Sequence, residues 1–578
     1  MKNAFKDEIE KLYSIVLSTE DSICKINKIK SCKDFLGISQ ESTFSDYYND
    51  ICRQEHIKGV VYTPKEIVTY MLENSISPKD IINNPFIKIL DPSCGAGNII
   101  IELLEYLEGI YVKNLDKINI NSGLNLKKED IKKHIISNNI FGLDVDELSI
   151  KILLIELYLN SQVINEDNFK CTDFLMNKSL FQQKKFDIIL GNPPYIGRKS
   201  IDRNYSDLIK KEYREIYGDK SDLSYCFFKK ALQVCENNFK ICFIVSRYFL
   251  ESLSGSNLRK YILNNSSIYK ITDFYGKRPF KNIGIDPVII FLSDKGYKNI
   301  EVDKVVSECK INDNFKNKMV TFCMKAATLS DEPWRLQPEN KLKVLEKIED
   351  RCNVSLKEIG DFYQGIITGC DKAFIVTKDA IEENNIEKDL LRRWIKNSDI
   401  HVNYIKDRGL FLIYADDIID ENKYPNAITY IGRYKERLAK RRECINSRRK
   451  WYELQWGRDE SIFRKQKIIF PYKSNHNIFT KSSNEFFSAD IYALLIKDTV
   501  KASYDYLSML LNSPIYEFYF KCFGKKMGRD IYEYYPNNVE RLKIPLLEHN
   551  RINNENDLYE YFELNSTEKK LILKTVKQ

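Results

Sequence analysis

Short apolar runs recur along the first half of this chain, and longer amphipathic stretches separate them. Several of the runs are apolar throughout, which is typical of central strands covered on both faces. Strands that alternate with helices in this way indicate a doubly wound, Rossmann-like α/β sheet. The predicted strands cover residues 87–90, 140–143, 186–190, 241–245, 271–274 and 288–292.

Further segments surround this α/β domain, which we place at residues 56–297. Residues 1–55 are expected to be helical, because apolar residues recur at helical spacing from Ile9 to Val16. Residues 298–330 mix polar and apolar residues without a clear period and are interpreted as a connector. Residues 331–578 alternate turns with strands, which predicts a second domain of mixed α+β type.

Composition restricts the class of protein. The chain has 578 residues, 43% hydrophobic and 30% charged, so it can bury more than one core. Its apolar runs are shorter than the roughly 18 residues that span a bilayer, and its first residues lack a signal-peptide core. We therefore expect a globular, cytoplasmic protein that does not enter a membrane.

The spacing of cysteine and histidine argues against a metal site. None of the 14 cysteines belongs to a Cys-x-x-Cys pair, and the 5 histidines are far apart and outside metal-binding patterns. We expect reduced, mostly buried cysteines and no metal cofactor.

The first predicted strand leads into Asp91 and a loop that contains Gly95 and Gly97. Glycine lets a backbone approach a ligand closely, and the helix expected after the loop would direct its N-terminus to the same place. The third glycine of a dinucleotide-binding loop is absent, and Asp91 would repel a pyrophosphate. The pattern favours an adenosine-type ligand with a positive charge, and a structural turn is the alternative.

Acidic residues follow the next segments. Asp144 ends the strand 140–143, where a doubly wound fold places the carboxylate that binds ribose hydroxyls, and Asp146 is the competing candidate. Asp173 could accept a hydrogen bond from an adenine amino group, and Phe174 could cover the ring. A surface acid is the alternative interpretation of Asp144.

The most specific signal is the quartet Asn192-Pro193-Pro194-Tyr195, which follows the strand 186–190 directly. Two prolines cannot continue a hydrogen-bonded ladder, and they leave carbonyl groups without competing amide donors. Asn192 adds a side-chain acceptor and Tyr195 a flat ring. Together these residues predict a pocket for a planar group that carries an NH₂.

Positive charge is concentrated in residues 433–450, where nine basic residues face two glutamates and the local net charge is +7. The whole chain carries only +8. Aromatic residues are interleaved with these charges, as in surfaces that bind phosphates. A solvated helix face is the alternative, because charged runs commonly have that role.

Two motifs in order, Asp91-Pro92-Ser93-Cys94-Gly95-Ala96-Gly97 and then Asn192-Pro193-Pro194-Tyr195, resemble the S-adenosylmethionine-dependent amino-methyltransferases. The upstream segment from Gly59 to Pro64 resembles the opening of the gamma class of N6-adenine DNA methyltransferases. The second half resembles the target-recognition domains of that class, at residues 364–374, 510–513 and 542–545. As a whole, the chain is similar to solitary bacterial adenine methyltransferases.

The resemblance implies roles for individual residues. Asn192 and the carbonyl of Pro193 would hold the amino group of the target adenine, Tyr195 would stack on the flipped base, and Phe280 would cover its other face. Pro279 before Phe280 and Ser93 before Cys94 depart from the usual pattern. The cofactor would be lined by Tyr62, Thr63, Pro64, Asp91, Pro92, Ser93, Gly95, Asp144, Asp173, Phe174 and Pro194.

The implied reaction transfers a methyl group from S-adenosylmethionine to N6 of an adenine in double-stranded DNA and leaves S-adenosylhomocysteine. The resemblance implies no metal, no membrane and no obligatory protein partner. In the second domain, Arg441, Arg442, Arg448 and Arg449 are the candidate contacts to DNA phosphates.

Three other functions compete with this interpretation. An RNA or protein-glutamine methyltransferase could use the same quartet, but it would have little use for the large C-terminal half. A non-catalytic DNA-binding protein is disfavoured by the intact Asp91, Asn192 and Tyr195. A fused nuclease is disfavoured because only about 55 residues precede Gly59, without an acidic pair followed by Glu-x-Lys. We therefore expect a methyltransferase without an attached nuclease.

Overall fold

The described residues form two compact units, Met1–Leu336 and Gln337–Gln578. Gly59, which belongs to the motif before Tyr62, and Lys281, which follows Phe280, lie outside the described residues. The computed structural model describes residues 2–54, 61–177, 185–197, 200–218, 221–280, 284–306, 315–527, 530–546 and 552–577.

The first unit alternates helices and strands along most of its length. Its helices are α1 (Lys2–Leu17), α2 (Ser22–Phe35), α3 (Phe44–Gln54), α4 (Lys65–Ser75), α5 (Pro78–Asn83), α6 (Asn98–Ser122), α7 (Ile131–Asn138), α8 (Glu147–Ser161), α9 (Arg203–Glu212), α10 (Ser224–Val234), α11 (Tyr248–Glu251) and α12 (Ser256–Asn265). Its strands are β1 (Ile89–Asp91), β2 (Ile140–Asp144), β3 (Phe169–Cys171), β4 (Phe186–Gly191), β5 (Cys235–Ser246), β6 (Ser267–Asp273), β7 (Pro287–Ser293), β8 (Asn299–Val305) and β9 (Met319–Lys325).

In the described part of the chain these strands form a nine-stranded sheet in the order β3-β2-β1-β4-β5-β7-β6-β8-β9. Strands β1 to β5 run parallel to their neighbours among themselves, whereas β7 is antiparallel to both β5 and β6. Because β2 and β4 lie on opposite sides of β1, the chain changes direction across the sheet there. This is a topological switch point, where sheets of this kind bind ligands beyond the carboxyl ends of the strands.

Both faces of the sheet are covered. Neighbouring residues of one strand point to opposite faces, and Ile89 and Leu90 accordingly belong to two different hydrophobic cores. The core on the side of Ile89 contains Leu103 of α6, and the core on the side of Leu90 contains Phe228 of α10. The prediction of a doubly wound α/β sheet is confirmed.

The expectation of a connector at residues 298–330 was wrong for the described part of that segment. It contributes β8, which pairs in parallel with β6, and β9, which pairs with β8. Strand β8 was not recognised because it contains a buried charged residue: Asp303 is 3% exposed, forms an ion pair with Lys270, and accepts hydrogen bonds from Tyr70 and Thr321. Such a strand lacks the apolar run by which the others were found.

The N-terminal segment is helical, as predicted, and it belongs to the first unit. Ile9, Leu12 and Val16 of α1 are buried. They share a hydrophobic core with residues of α8, including Ile152 and Ile155. The N-terminal helices are therefore packed on the α/β domain.

The second unit has mixed α+β structure, as predicted. Its helices are α13 (Glu339–Asp350), α14 (Leu356–Ile359), α15 (Asp371–Phe374), α16 (Lys378–Glu383), α17 (Pro425–Gly432), α18 (Lys435–Ala439), α19 (Arg442–Ile445), α20 (Glu460–Arg464), α21 (Tyr504–Asn512), α22 (Pro514–Phe523), α23 (Pro536–Val539), α24 (Glu555–Tyr561) and α25 (Ser566–Val576). Its strands are β10 (Val354–Ser355), β11 (Gly360–Gln364), β12 (Ile375–Thr377), β13 (Leu391–Ile395), β14 (Ile400–His401), β15 (Tyr404–Ile405), β16 (Leu410–Ile413), β17 (Lys467–Pro471), β18 (Lys473–Ser474), β19 (Thr480–Ser482), β20 (Phe486–Phe487), β21 (Ile491–Ile496), β22 (Lys525–Lys526), β23 (Tyr532–Glu533) and β24 (Lys543–Ile544).

Two small sheets organise the second unit. One has the order β11-β21-β17-β19 and the other the order β12-β16-β13-β20. One face of the first sheet packs into a hydrophobic core that contains Phe470 and Tyr519. Its other face, which includes Ile469, shares a second core with Trp394 and Leu412 of the other sheet.

Candidate cofactor and target-base site

A cavity of about 770 Å³ opens at the carboxyl ends of β1, β2 and β4. Because these strands are parallel and adjacent, Asp91, Asp144 and Gly191 end at the same edge of the sheet. The volume lies within the range of small-molecule sites. Of the residues predicted for a site, the cavity is lined by Tyr62, Thr63, Asp91, Pro92, Ser93, Gly95, Asp144, Asp173, Phe174, Asn192 and Pro194.

The remaining predicted residues of the first unit have other positions. Pro64 directly precedes α4, and both Pro64 and Pro193 are buried. Tyr195 and Phe280 form a pair of rings, described below, that is not part of the lining of this cavity in the described residues.

Left-handed glycines shape the loop between β1 and α6. Gly95 has φ +51° and Gly97 has φ +97°, conformations that side chains with a Cβ rarely adopt. A Cβ on Gly97 would also lie 2.4 Å from Cδ1 of Leu153. The backbone N–H of Gly95 donates to Asp144 Oδ2 over 2.8 Å, which ties the loop to the end of β2.

Asp91 carries a buried acceptor without a partner. Its side chain is 1% exposed; Oδ1 accepts the backbone N–H of Ser93 over 3.0 Å, and Oδ2 has no hydrogen-bond partner among the described residues. Burial, with a smaller effect of the nearby Asp144 charge, raises the pKa of Asp91 to about 8. A side chain at Gly191 would displace this carboxyl group, because a Cβ there would lie 2.7 Å from Oδ1.

The two acids at the end of β2 are held differently. Asp144 accepts backbone N–H groups from Gly95 and Asp146, and burial raises its pKa. Asp146 caps α8 by accepting from the backbone of Leu148 and the hydroxyl of Ser149. Asp146 is therefore part of a helix cap, whereas Asp144 is held at the end of β2, and both residues line the cavity.

Asp173 and Phe174 follow β3 and are also held in place. Asp173 Oδ1 accepts the backbone N–H of Leu175 over 2.8 Å, and Oδ2 accepts the hydroxyl of Tyr205 over 2.8 Å. The ring of Phe174 stacks on Phe227, with the centroids 5.4 Å apart.

The amide of Asn192 has a defined orientation. Its Nδ2 donates to Oγ1 of Thr63 over 3.0 Å and to the carbonyl of Val61 over 3.2 Å. Its Oδ1 is buried and has no partner in the described part of the chain. The segment before α4 therefore fixes the donor end of this amide and leaves the acceptor end free, which sequence reasoning did not reveal.

Tyr195 and Phe280 face each other beside the site. Their ring centroids are 6.3 Å apart and the ring planes are inclined by 50°. The hydroxyl of Tyr195 donates to the carbonyl of Ile244 over 3.2 Å, and burial raises the pKa of Tyr195. Phe280 is 4% exposed.

The cavity also has lining residues that the sequence motifs did not indicate. They come from α1 and α3, from the segment around α9 and from the start of α10, which are remote in sequence from the ends of β1 and β2. Their spacing carries no pattern beyond that of ordinary amphipathic helices, so no signal in the sequence could have found them. These residues include Lys6, Glu10, Tyr48, Asn49, Cys52, Ile201, Tyr205, Leu223 and Phe227.

The candidate DNA-contacting arginines lie in two different environments. Arg441 donates to the carbonyls of Leu438, Thr368, Trp451 and Glu453 over 2.9 to 3.1 Å.

Arg449 pairs with Asp416 over 2.9 Å. Arg442 and Arg448 are exposed, and neither forms an ion pair with the described residues. Only these two of the four guanidinium groups are free for a partner within that part of the chain.

No helix in the described part of the chain has both the length and the apolar character of a membrane span. No group of three or more His, Cys, Asp or Glu side chains there is arranged to hold a metal ion.

Both units match known proteins. Residues 138–280 match the family described as Eco57I restriction-modification methylase, and residues 391–546 match the TaqI-like C-terminal specificity domain. The chain is 24% identical over 524 residues to the type II methyltransferase M.BstVI of Geobacillus stearothermophilus, covering 84% of this chain and 90% of that protein. It is 23% identical over 565 residues to the type II restriction enzyme and methyltransferase RM.Eco57I of Escherichia coli, covering 82% of this chain and 55% of that protein.

A solved structure has the same fold. The Type IIL restriction-modification enzyme MmeI, in complex with DNA, superimposes with a TM-score of 0.57 at 14% identity, over 86% of this chain and 67% of that chain. The sequence motifs, the topology of the nine-stranded sheet and the two matched segments all point to the same class of protein. The chain thus combines a segment that matches the Eco57I restriction-modification methylases with a TaqI-like C-terminal specificity domain, and over 84% of its length it is similar to a type II methyltransferase.

Proposed function

We propose that this protein transfers the methyl group of S-adenosylmethionine to N6 of an adenine extruded from double-stranded DNA, which releases S-adenosylhomocysteine and one proton from the amino group to solvent. The observation that carries the proposal is the buried, unpartnered Oδ1 of Asn192, which the bond to Thr63 holds at the edge of the cavity. A buried acceptor without a partner is costly. A ligand donor such as an exocyclic amino group would satisfy it.

The residues present fit the cofactor. S-adenosylmethionine, when bound, supplies a methyl group on a positively charged sulfonium. The unpartnered Oδ2 of Asp91 offers a second buried acceptor, suited to a cationic group. Asp144 would accept from the ribose, and Asp173 with Phe174 would hold the adenine.

Asn192 would activate the target amino group by position. An aromatic amino nitrogen is a poor nucleophile because its lone pair is delocalised into the ring. Acceptors at its two hydrogens, Oδ1 of Asn192 and the carbonyl of Pro193, would favour a tetrahedral nitrogen and stabilise the positive charge that develops on it. Alignment of the amino nitrogen, the methyl group and the sulfur would supply the rest of the rate enhancement.

Tyr195 and Phe280 would hold the extruded base between their rings. A base sandwiched by two rings needs about 7 Å between them, because aromatic carbons touch at about 3.5 Å. The centroids are 6.3 Å apart and the rings are inclined. We infer that the rings move apart and become parallel when the base enters.

The exposed Arg442 and Arg448 would contact DNA phosphates. We also propose that the protein acts in the cytoplasm, without metal, without an obligatory protein partner and without an attached nuclease. M.BstVI, which is matched over 90% of its length, is named as a methyltransferase alone and supports the absence of a nuclease.

The test is a methylation assay with labelled S-adenosylmethionine and three separate acceptors: double-stranded DNA, RNA and a protein extract. We expect label in DNA, undiminished by EDTA. Asn192→Ala should reduce turnover by about 10²-fold or more, because it removes the acceptor that aligns the amino group. Label found only in RNA or protein would overturn the proposal.

A further inference from the structure

The N-terminal helices share a hydrophobic core with the glycine loop. Phe44 and Tyr48 of α3 and Ile9 of α1 are buried together with Ala96, which lies between the two glycines of the loop. Leu148 of α8 belongs to the same core. The loop between β1 and α6 is therefore supported from outside the sheet by residues that precede it by more than 40 positions.

Helix α3 donates hydrogen bonds to residues that follow the ends of β1 and β2 beside the cavity. Ser45 donates to Oδ1 of Asn98, the first residue of α6, over 2.8 Å. Tyr48 donates to Oδ2 of Asp146, after β2, over 2.6 Å.

These contacts extend to the acceptor proposed for the ribose. The backbone N–H of Asp146 donates to Oδ1 of Asp144 over 2.9 Å. Tyr48 therefore fixes Asp146, whose backbone N–H in turn fixes the Asp144 carboxylate. The Tyr48 hydroxyl acts on that carboxylate indirectly, through Asp146.

Helices α1 and α3 also line the cavity. Lys6 and Glu10 of α1 and Asn49 and Cys52 of α3 are on its wall. Glu10 is anchored to α8 by an ion pair with Lys151 over 2.8 Å.

We propose that α1 and α3 are the outer wall of the cofactor site and that Tyr48 is a positioning residue for Asp144, acting through Asp146. This inference rests on the proposed function, because the ligand is the adenosine part of S-adenosylmethionine or of its product. The wall and the strand-end carboxylates would enclose the ribose from opposite sides.

The test compares Tyr48→Phe with Tyr47→Phe, using S-adenosylhomocysteine as the probe in calorimetric titrations of the full chain. Tyr47 lies on the same helix and its ring contacts Phe5, but its hydroxyl makes no hydrogen bond to the described residues. Loss of one hydrogen bond that orders the site should weaken binding about 3- to 10-fold in Tyr48→Phe. Tyr47→Phe should bind like the unaltered chain.

Two further readouts distinguish a binding role from a structural one. The unfolding midpoints of the ligand-free variants should agree within about 3 °C, since neither change removes buried apolar surface. In the unaltered chain, S-adenosylhomocysteine should slow hydrogen exchange of the amides in α1 and α3.

Equal affinity of the two variants, or no protection of these helices, would overturn the inference while leaving the proposed function intact. Weaker binding accompanied by a much lower midpoint in Tyr48→Phe alone would assign Tyr48 a structural role and also overturn it. Failure of the unaltered chain to bind the probe would instead contradict the proposed function, and the inference with it.

Discussion

The hydroxyl oxygen of Thr63 lies 3.0 Å from Nδ2 of Asn192 and accepts its hydrogen bond. An amide has a donor end and an acceptor end, so this bond decides which end meets the substrate. With Nδ2 turned to Thr63 and Val61, Oδ1 is presented as the free acceptor. Thr63 would thus contribute to catalysis through Asn192.

The first prediction concerns this bond. Thr63→Val keeps the shape of the side chain but loses the acceptor, so the Asn192 amide can rotate and kcat should fall about 10-fold. Thr63→Ser keeps a hydroxyl and should recover most of the rate. The affinity for S-adenosylhomocysteine should change less than kcat in both variants. A Val variant with normal kcat, or a Ser variant as slow as the Val variant, would refute this role.

The second prediction concerns Asp91. Its pKa is about 8 in the folded chain, against an ordinary value of 3.8. Between about pH 4 and pH 8 the folded chain therefore holds a proton that the unfolded chain has already lost. The stability of the ligand-free protein should therefore fall as the pH rises through this window and level off above it. Asp91→Asn cannot ionise. Relative to the unaltered chain, it should gain up to about 1.4 kcal/mol per pH unit across the window.

Urea unfolding at several pH values measures this difference, and parallel curves for the two proteins would exclude the raised pKa. The same group should couple cofactor binding to protons. A cation near Oδ2 favours the ionised carboxylate, so the affinity for S-adenosylmethionine should rise between pH 6 and pH 8. Asp91→Asn should bind more weakly and lose this pH dependence.

The third prediction concerns the ring of Tyr195. Tyr195→Ala removes a stacking surface worth about 1–3 kcal/mol per base, so kcat/KM for duplex DNA should fall about 5- to 160-fold. A mismatched target adenine should restore part of the loss, because it costs less to extrude. Tyr195→Phe loses only the hydrogen bond to Ile244 and should remain active. Equal losses in the Ala and Phe variants would show that the hydroxyl, not the ring, is required.

The fourth prediction separates the arginines of the second unit. Replacing Arg442 and Arg448 with alanine should weaken binding to all duplexes by similar factors and flatten the salt dependence by about 0.9 per lost phosphate contact. The unfolding midpoint should not change. Arg441→Ala should lower the midpoint, because its guanidinium satisfies carbonyls such as that of Thr368. An unchanged salt slope for the double variant, in anisotropy titrations, would place the DNA contacts elsewhere.

The sequence predicted the sheet of the first unit well because the central strands are buried on both faces and are apolar throughout, as at Ile188 to Leu190. It did not predict β8 and β9. Asp303 is buried there, and hydrogen bonds from distant residues such as Tyr70 offset the cost of burying its carboxylate. Only the tertiary structure reveals those partners.

The candidate site also contains residues that the sequence predicted and residues that it did not. Residues on strand ends, such as Asp91 and Asn192, could be proposed from the motifs because parallel strands bring their ends together. The hydrogen bond from Asn192 to Thr63 and the place of Tyr48 in the cavity lining could not, because they depend on how segments remote in the sequence pack together. Local sequence also does not distinguish Arg441, bonded to carbonyls, from Arg442, which is exposed.

The most direct test of the central claim identifies the methylated atom. DNA from a host that expresses the unaltered protein, and from a matched host that expresses Asn192→Ala, is digested to nucleosides and analysed by mass spectrometry. A host without its own adenine methylation is required. We predict N6-methyladenine in the first sample and at least about 100-fold less in the second, because Asn192 would align the amino group in the proposed mechanism. N4-methylcytosine in place of N6-methyladenine, or equal methylation in both samples, would contradict the account.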